Sequence, residues 1–429
     1  MSRARIAVVV GALACLGALE WYAFVAGNRL TARHPAVKLG AGPFVGSWDL
    51  RLSPMIIPAI AIAIGAVVVL PRVADRLGPR RAIAATALVA IAFVVALAAS
   101  DGWSAVIKPV IDKTEYFAGV AKARPASDYL RTFIDRQKFY SVHVRGHPPG
   151  FTLLLLFLRW LCLGSAWWAA GLSFAGVGFV VAGVGFVLHR LAGPIALRRS
   201  LPFLALAPYA VWQGTSADAF FAGVIAVGIA LLVVAMTARR RRVEVASAVL
   251  AGLVLGSSCF LTFGAVTMLP LVVALAWRTK RIRWAIPAAA GFVAVFAIFA
   301  AFGYWWFDGL SNTRMFYAAG TAQFRPAFYF FFANLAVFVI AVGPAALAGL
   351  TRLTRGAVAV VVIGALACVV LADASGLSKA ETERIWLLYM PWIAVAAGWL
   401  ATTRRRQQLW LGAQATTAIL LQSILVSKW

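Results

Sequence analysis

The chain has 429 residues, 63% of them hydrophobic, and a mean hydropathy of +0.89. That balance lies outside the range of soluble domains and excludes an ordinary water-facing fold. The net charge of +26 comes in short basic blocks between apolar runs, which is the pattern of the positive-inside rule and argues against a nucleic-acid surface.

Apolar runs of spanning length recur from end to end. A single polytopic, all-α membrane domain over 1–429 is expected, because lipid tolerates only backbone that satisfies its own hydrogen bonds. The opening MSRARIAVVVGALACLGAL imitates a signal peptide, but the run continues through WYAFVAG, and it reads as an uncleaved first helix. Basic blocks stand at 1–5, 71–81, 189–199, 237–242, 278–283, 351–355 and 404–406. If all are cytoplasmic, an even number of spans separates successive blocks. Spans are predicted near 6–26, 54–70, 82–100, 166–188, 200–214 and 217–236. A short pair follows within 243–277, then 284–304, 327–350, 356–372, 387–402 and 408–426. The run 150–163 is short, carries Arg159 beside Trp160, and has Trp167 and Trp168 nearby, so it is expected as an interfacial helix. The result is about thirteen transmembrane helices, N-in and C-out.

In that topology most acids, among them Asp49, Asp101, Asp112, Glu115, Asp218, Asp308, Asp373, Glu381 and Glu383, face the outer side. Only Asp75 and Glu244 are cytoplasmic, and Glu20 lies in the first span. A concentration of acids on one side is more than topology needs and points to chemistry there. Cys15, Cys162, Cys259 and Cys368 lie in or beside apolar runs with no metal-ligand spacing, so neither a disulfide framework nor a zinc site is expected. The longest outer loop, 101–149, mixes acids, bases and aromatics; its segments 114–122 and 127–138 are candidates for short amphipathic helices on the membrane surface. It ends in HVRGHPPG, where His143, Arg145 and His147 crowd the start of the 150–163 run.

These segments resemble the GT-C superfamily of integral-membrane glycosyltransferases, and more nearly its actinobacterial members. The resemblance rests on DKTEY at 112–116, HPPG at 147–150, PYAVWQGTSAD at 208–218 and ETERIWLLYMPW at 381–392. It covers roughly residues 100–220 and 375–395, with two extra spans before the acidic loop and fewer spans after it. It implies a plasma-membrane enzyme, active on the extracytoplasmic side, that moves a sugar from a polyprenyl-phosphate donor to a glycan or glycolipid acceptor of the cell envelope, with inversion.

Such a transfer needs a carboxylate to take the acceptor hydroxyl's proton. Asp112 matches the family's base position, and Glu115, three residues on, is its rival; on a helix both would share a face. Either could instead pair with Lys108 or Lys113. The departing phosphate calls for fixed donors: Arg145, His147 and Arg384 are the candidates, with His143, Tyr116, Asp218 and Glu383 as further site residues. A plain ion pair of Arg384 with Glu381 or Glu383, and a helix-start hydrogen bond at His147, are the structural alternatives. No cofactor is implied with certainty; a divalent cation on Asp112, Glu115 and Asp218 stays open. Zinc on His143 and His147 would need a helix there, and Pro148 argues against one. The competing functions are a multi-pass lipid or glycan transporter or flippase, for which spans nearly free of charge are unfavourable, and a non-catalytic assembly partner.

Overall fold

A computed structural model describes residues 3–427, with side chains from Val10 onward; the side chains of the basic block 1–5 fall outside it. The fold is helical. Among the described residues seven helices are long and apolar enough to cross a membrane: Val10–Arg33, Pro54–Arg76, Pro79–Ala98, Ala166–Leu204, Ala217–Thr237, Arg241–Cys259 and Ala357–Ala374. Two bent pairs, Ala285–Ala301 with Trp306–Ala319 and Ala327–Val342 with Pro344–Leu350, raise the number to nine if each is one span. The chain is therefore a polytopic membrane protein by the length and composition of its helices.

The contacts sort the charged blocks. Arg404 pairs with Asp75 at 3.2 Å. Gln407 donates to the carbonyls of Arg198 and Arg199, Arg190 to Thr237, and Arg281 to the carbonyl of Ala238. Five of the basic blocks thus meet at one end of the helices. Asp218 opens the helix Ala217–Thr237 whose last residue is at that basic end, so it lies at the opposite end.

The helices lining the centre approach closely where side chains are absent. Gly176 of Ala166–Ser200 faces the backbone of Ala219 and Phe220, and Gly223 faces Gly176 in return. Small residues of this kind let helices associate where lipid offers no hydrophobic drive. The helix Ala166–Ser200 breaks at Gly193, whose φ of 82° suits glycine, and Pro194 follows.

Two of the expected spans take another form. Segment 200–214 is a 3₁₀ turn, Leu201–Leu204, and a single helical turn, Ala210–Gln213. Segment 387–402 is a string of short pieces from Trp386 to Trp399. The first runs from the basic end to the acidic end and the second runs back, since Arg384 reaches Asp218 and the Ser200 hydroxyl donates to Val395 O at 2.9 Å. Phe203, Tyr209, Trp212, Trp386, Trp392 and Ile393 are all buried. Broken backbone at membrane depth is tolerated because protein covers it. Their aromatic and proline content gave an apolar run, but not a regular helix.

At the acidic end the chain adds a small sheet that hydropathy does not reveal. Strand Phe44–Trp48 pairs antiparallel with Gly40–Ala41 on one side and with Leu425–Ser427 on the other. The last helix therefore stops at Ile424. Arg51 clamps the junction, donating to Gln422 O and Leu425 O at 2.8 and 2.9 Å and pairing with Asp101.

Of the two amphipathic helices expected in the 101–149 loop, 127–138 is the helix Ala126–Arg136, which buries Tyr129, Leu130 and Phe133, whereas 114–122 is only a 3₁₀ segment, Phe117–Ala123. The run at 150–163 becomes the eleven-residue helix Gly150–Trp160. At 1.5 Å per residue it is about 16 Å long, too short to cross about 30 Å of hydrocarbon. Gly150 donates its N–H to Phe260 O at 2.9 Å, and a Cβ there would collide with that carbonyl. Gly150→Ala is expected to push the helix start away from Phe260 and to cost about 1–3 kcal/mol. The check is the thermal midpoint of the purified chain; an unchanged midpoint would show that the junction relaxes freely.

Candidate functional site

Three segments distant in sequence converge at the acidic end. The first is the turn ending in Glu115 and Tyr116. The second is the 213–218 corner, where Ser216 caps the helix Ala217–Thr237. The third is the short helix Thr382–Ile385. The Ser216 hydroxyl accepts from the Asp218 N–H and reaches Asp218 Oδ2, both at 3.2 Å. Asp218 so sits in the first turn of its helix, where the dipole favours a negative side chain.

Arg384 is the hub. It is 3% exposed. Its Nε lies 3.3 Å from Asp218 Oδ2, its Nη1 3.6 Å from Glu115 Oε1 and its Nη2 3.5 Å from Glu381 Oε2. Nη2 also meets His143 Nε2 at 3.1 Å, and His143 Nδ1 is 2.7 Å from Glu115 Oε1. Burial acts to lower the guanidinium pKa, but Asp218, Glu115 and Glu381 outweigh it and push it up. Arg384 stays charged. Burial pushes the Glu115 carboxyl up as well, and the His143 hydrogen bond with the nearby cationic groups outweighs that, leaving it below its ordinary value. Glu115 is therefore ionised at neutral pH.

Around this hub the aromatic wall is Tyr116, which stacks on His143 at 6.0 Å and meets His147 and Phe151 edge-on at 5.5 and 5.0 Å. His147 Nδ1 lies 3.0 Å from the His143 carbonyl. A carbonyl only accepts, so Nδ1 carries the proton. Burial pushes the His147 pKa down to about 4, which leaves Nε2 as a bare acceptor at neutral pH. That differs from the expected cationic donor. A short helix, Val142–Gly146, carries His143 but ends before His147, whose backbone is extended, so the two histidines do not share a helix. Arg145, on the same turn, lies with its guanidinium 5.4 Å from the Phe316 ring centre and has no acidic partner among the described residues. Its carbonyl is held by Gln137 and Thr313.

Asp112 and Glu115 do not share a helix face. Residues 108–116 are turns, and Asp112 Oδ1 accepts from the N–H and hydroxyl of Thr114 at 2.8 and 2.5 Å. Those hydrogen bonds, the hydroxyl's first, hold the Asp112 carboxyl below its ordinary value. Asp112 is exposed at the rim, whereas Glu115 points into the cluster. Among the described residues no three His, Cys, Asp or Glu side chains are arranged to hold a metal ion; Arg384 stands between the carboxylates where a cation would bind.

Glu383 is fully buried, and no side chain among the described residues hydrogen-bonds its carboxyl; the backbone N–H groups of Glu383 and Val45 and the charge of Arg384 only partly offset its burial. Burial pushes it up to about 7. Its folded pKa lies above its unfolded one, so stability is fully present below about 4.5 and falls as pH rises toward 7. A shift of this size corresponds to about 3 kcal/mol. Glu383→Gln is expected to flatten the fall in melting temperature between about pH 5 and pH 8; an equally steep fall in the variant would place the pH dependence elsewhere.

Glu381 was foreseen only as a neutralising partner of Arg384. The i,i+3 spacing of the two gave the signal, but not that two other carboxylates join them. Ser216 was readable from the TSAD stretch, as a Ser two residues before Asp at a helix start. Comparison with family models, curated proteins and solved structures returned no match to this chain.

Proposed function

We propose that this cluster is the catalytic centre of a membrane glycosyltransferase that takes its sugar from a polyprenyl-phosphate donor and passes it to a glycan or glycolipid hydroxyl on the extracytoplasmic side. The observation that carries the reading is the gathering of Glu115, Asp218, Glu381 and His143 around buried Arg384. The order of the DKTEY, HPPG, TSAD and ETERIW segments supports it.

In this reading the acceptor oxygen attacks the anomeric carbon from the face opposite the phosphate. The new C–O bond forms, the bond from that carbon to the phosphate oxygen breaks, and the acceptor proton passes to a carboxylate. Glu115 is the preferred base: it is ionised and held by His143 and Arg384. Asp112, at the rim, is the second candidate. Arg384 is a positioning residue, because its nitrogens are already committed to carboxylates and His143. Arg145 is the guanidinium left for the phosphate, and its place beside the start of Gly150–Trp160 puts it next to apolar surface. The orientation is N-in and C-out, with about thirteen crossings once the broken segments 201–213 and 386–399 and the helices Phe263–Thr279 and Arg404–Ile424 are counted with the nine.

The test is sugar transfer in membranes containing the chain, with a labelled polyprenyl-phosphate sugar as donor. Arg145→Ala is expected to raise the donor KM, and to lower kcat less than kcat/KM. Transfer independent of any polyprenyl-phosphate donor would overturn the reading.

A further inference from the structure

At the basic end a cavity of about 630 Å³ opens between three helices. Its rim is Gly78, Arg80 and Arg81, from the start of Pro79–Ala98, with His189 and Arg190 from Ala166–Ser200. Its inner wall is apolar: Ile83, Phe186 and Val234. Val234 is sixteen residues along the helix from Asp218, or about 24 Å, so the cavity is remote from the carboxylate cluster.

The rim is built for an anion. Arg190 is fixed by donating Nε to Thr237 Oγ1 at 2.8 Å and Nη2 to Thr237 O at 3.1 Å, which leaves Nη1 uncommitted. Arg80 and Arg81 have no side-chain hydrogen bond or ion pair among the described residues, and no acid lines the cavity. Asp75, the nearest acid in sequence, is engaged by Arg404 at 3.2 Å. The helix start adds donors: Gly78 caps it without a side chain, so the Arg80 and Arg81 N–H groups lack capping partners. His189 Nδ1 is buried without a hydrogen-bond partner among the described residues. The size lies within the range of small-ligand sites.

A free anion would use the rim and leave the apolar wall bare. We propose that the cavity binds the phosphate headgroup of an anionic phospholipid, with the guanidinium groups of Arg80, Arg81 and Arg190 on the phosphate and the first part of an acyl chain against Ile83, Phe186 and Val234. The site is independent of the glycosyltransferase reading.

Native mass spectrometry of the detergent-solubilised chain tests it, with phosphatidylglycerol as the probe and phosphatidylcholine as the comparison. Phosphatidylglycerol is expected to bind at least about tenfold more tightly, and the double variant Arg80→Ala/Arg81→Ala to lose that preference. Val234→Trp fills the apolar wall and keeps every charge; it too is expected to weaken phosphatidylglycerol binding. Arg239→Ala/Arg240→Ala removes the same charge outside the cavity and is expected to leave binding unchanged. Equal loss in that control would reduce the effect to net charge and overturn the site. Retained binding in both cavity variants would do the same. Displacement of the lipid by millimolar inorganic phosphate, with Val234→Trp inert, would overturn the lipid assignment in favour of a free-anion site.

Discussion

Glu115→Gln is expected to lower sugar transfer by about 10²–10⁴-fold, the usual worth of a general base, while leaving the chain folded. The amide keeps the size and still accepts a hydrogen bond from His143, but it cannot take a proton. The loss should therefore fall on kcat, with the donor KM little changed. Glu115→Asp withdraws the carboxylate by one methylene and should recover part of the rate. A pH readout separates chemistry from packing. The folded Glu115 carboxyl lies below its ordinary value, so its contribution to stability is present above about pH 4.5 and is lost as pH falls through the folded pKa. The Gln variant should lack that acid limb in its melting profile. Asp112→Asn is the companion. Asp112 spends an oxygen on Thr114 at the rim, and its replacement should cost much less than that of Glu115. A dead Asp112→Asn with an active Glu115→Gln would move the base to the rim.

Arg384→Ala is expected to act on folding before chemistry. It leaves Glu115, Asp218 and Glu381 facing one another without the cation that holds them. Removing one partner of a buried ionic group typically costs about 3–5 kcal/mol, a large share of the stability of an ordinary domain. The sign with pH is specific. Without the guanidinium less opposes the burial that pushes the Glu115 carboxyl up, so the folded state gains affinity for a proton there. Stability then falls as pH rises, so the melting temperature of the variant should approach the parent's near pH 5 and part from it near pH 8. Arg384→Lys keeps one charge but not the fork that reaches three carboxylates, and should fall between the two. Equal melting temperatures for parent and Arg384→Ala across that range would show the cluster to be solvated.

Much of this site was legible because its parts carry chemical punctuation. His143, His147, Asp218 and Arg384 stood out as rare polar residues beside apolar runs, and the structure brings them together. The relation of Asp112 to Glu115 was not legible. It depends on the Thr114 hydroxyl bending the chain, a local competition that helical spacing ignores. The protonation of His147 was hidden too, since it depends on which atom the His143 carbonyl faces and on Tyr116 and Phe151 around it. For the fold, hydropathy located the long helices, because burial in lipid needs only composition and length, but it ended 6–26, 54–70 and 166–188 too early, since those helices continue to Arg33, Arg76 and Ser200. It over-read 200–214 and 387–402, where apolar residues signal burial in protein and not a lipid-facing helix. The strand Leu425–Ser427 was missed because its partner lies nearly four hundred residues earlier.

Those two broken crossings impose an order on assembly. A long helix such as Ala217–Thr237 can enter the bilayer alone, since its backbone is self-satisfied. The short pieces between Leu201 and Gln213 and between Trp386 and Trp399 cannot, because their irregular backbone would meet hydrocarbon with polar groups unpaired. They must be received by helices already in place, and the later of them follows directly on Arg384. The carboxylates at Glu115 and Asp218 are made and positioned first, and the cation that binds them is made well after both. Closure of the centre is thus tied to synthesis reaching residue 384, and a product that stops before it would hold the acids without their lock.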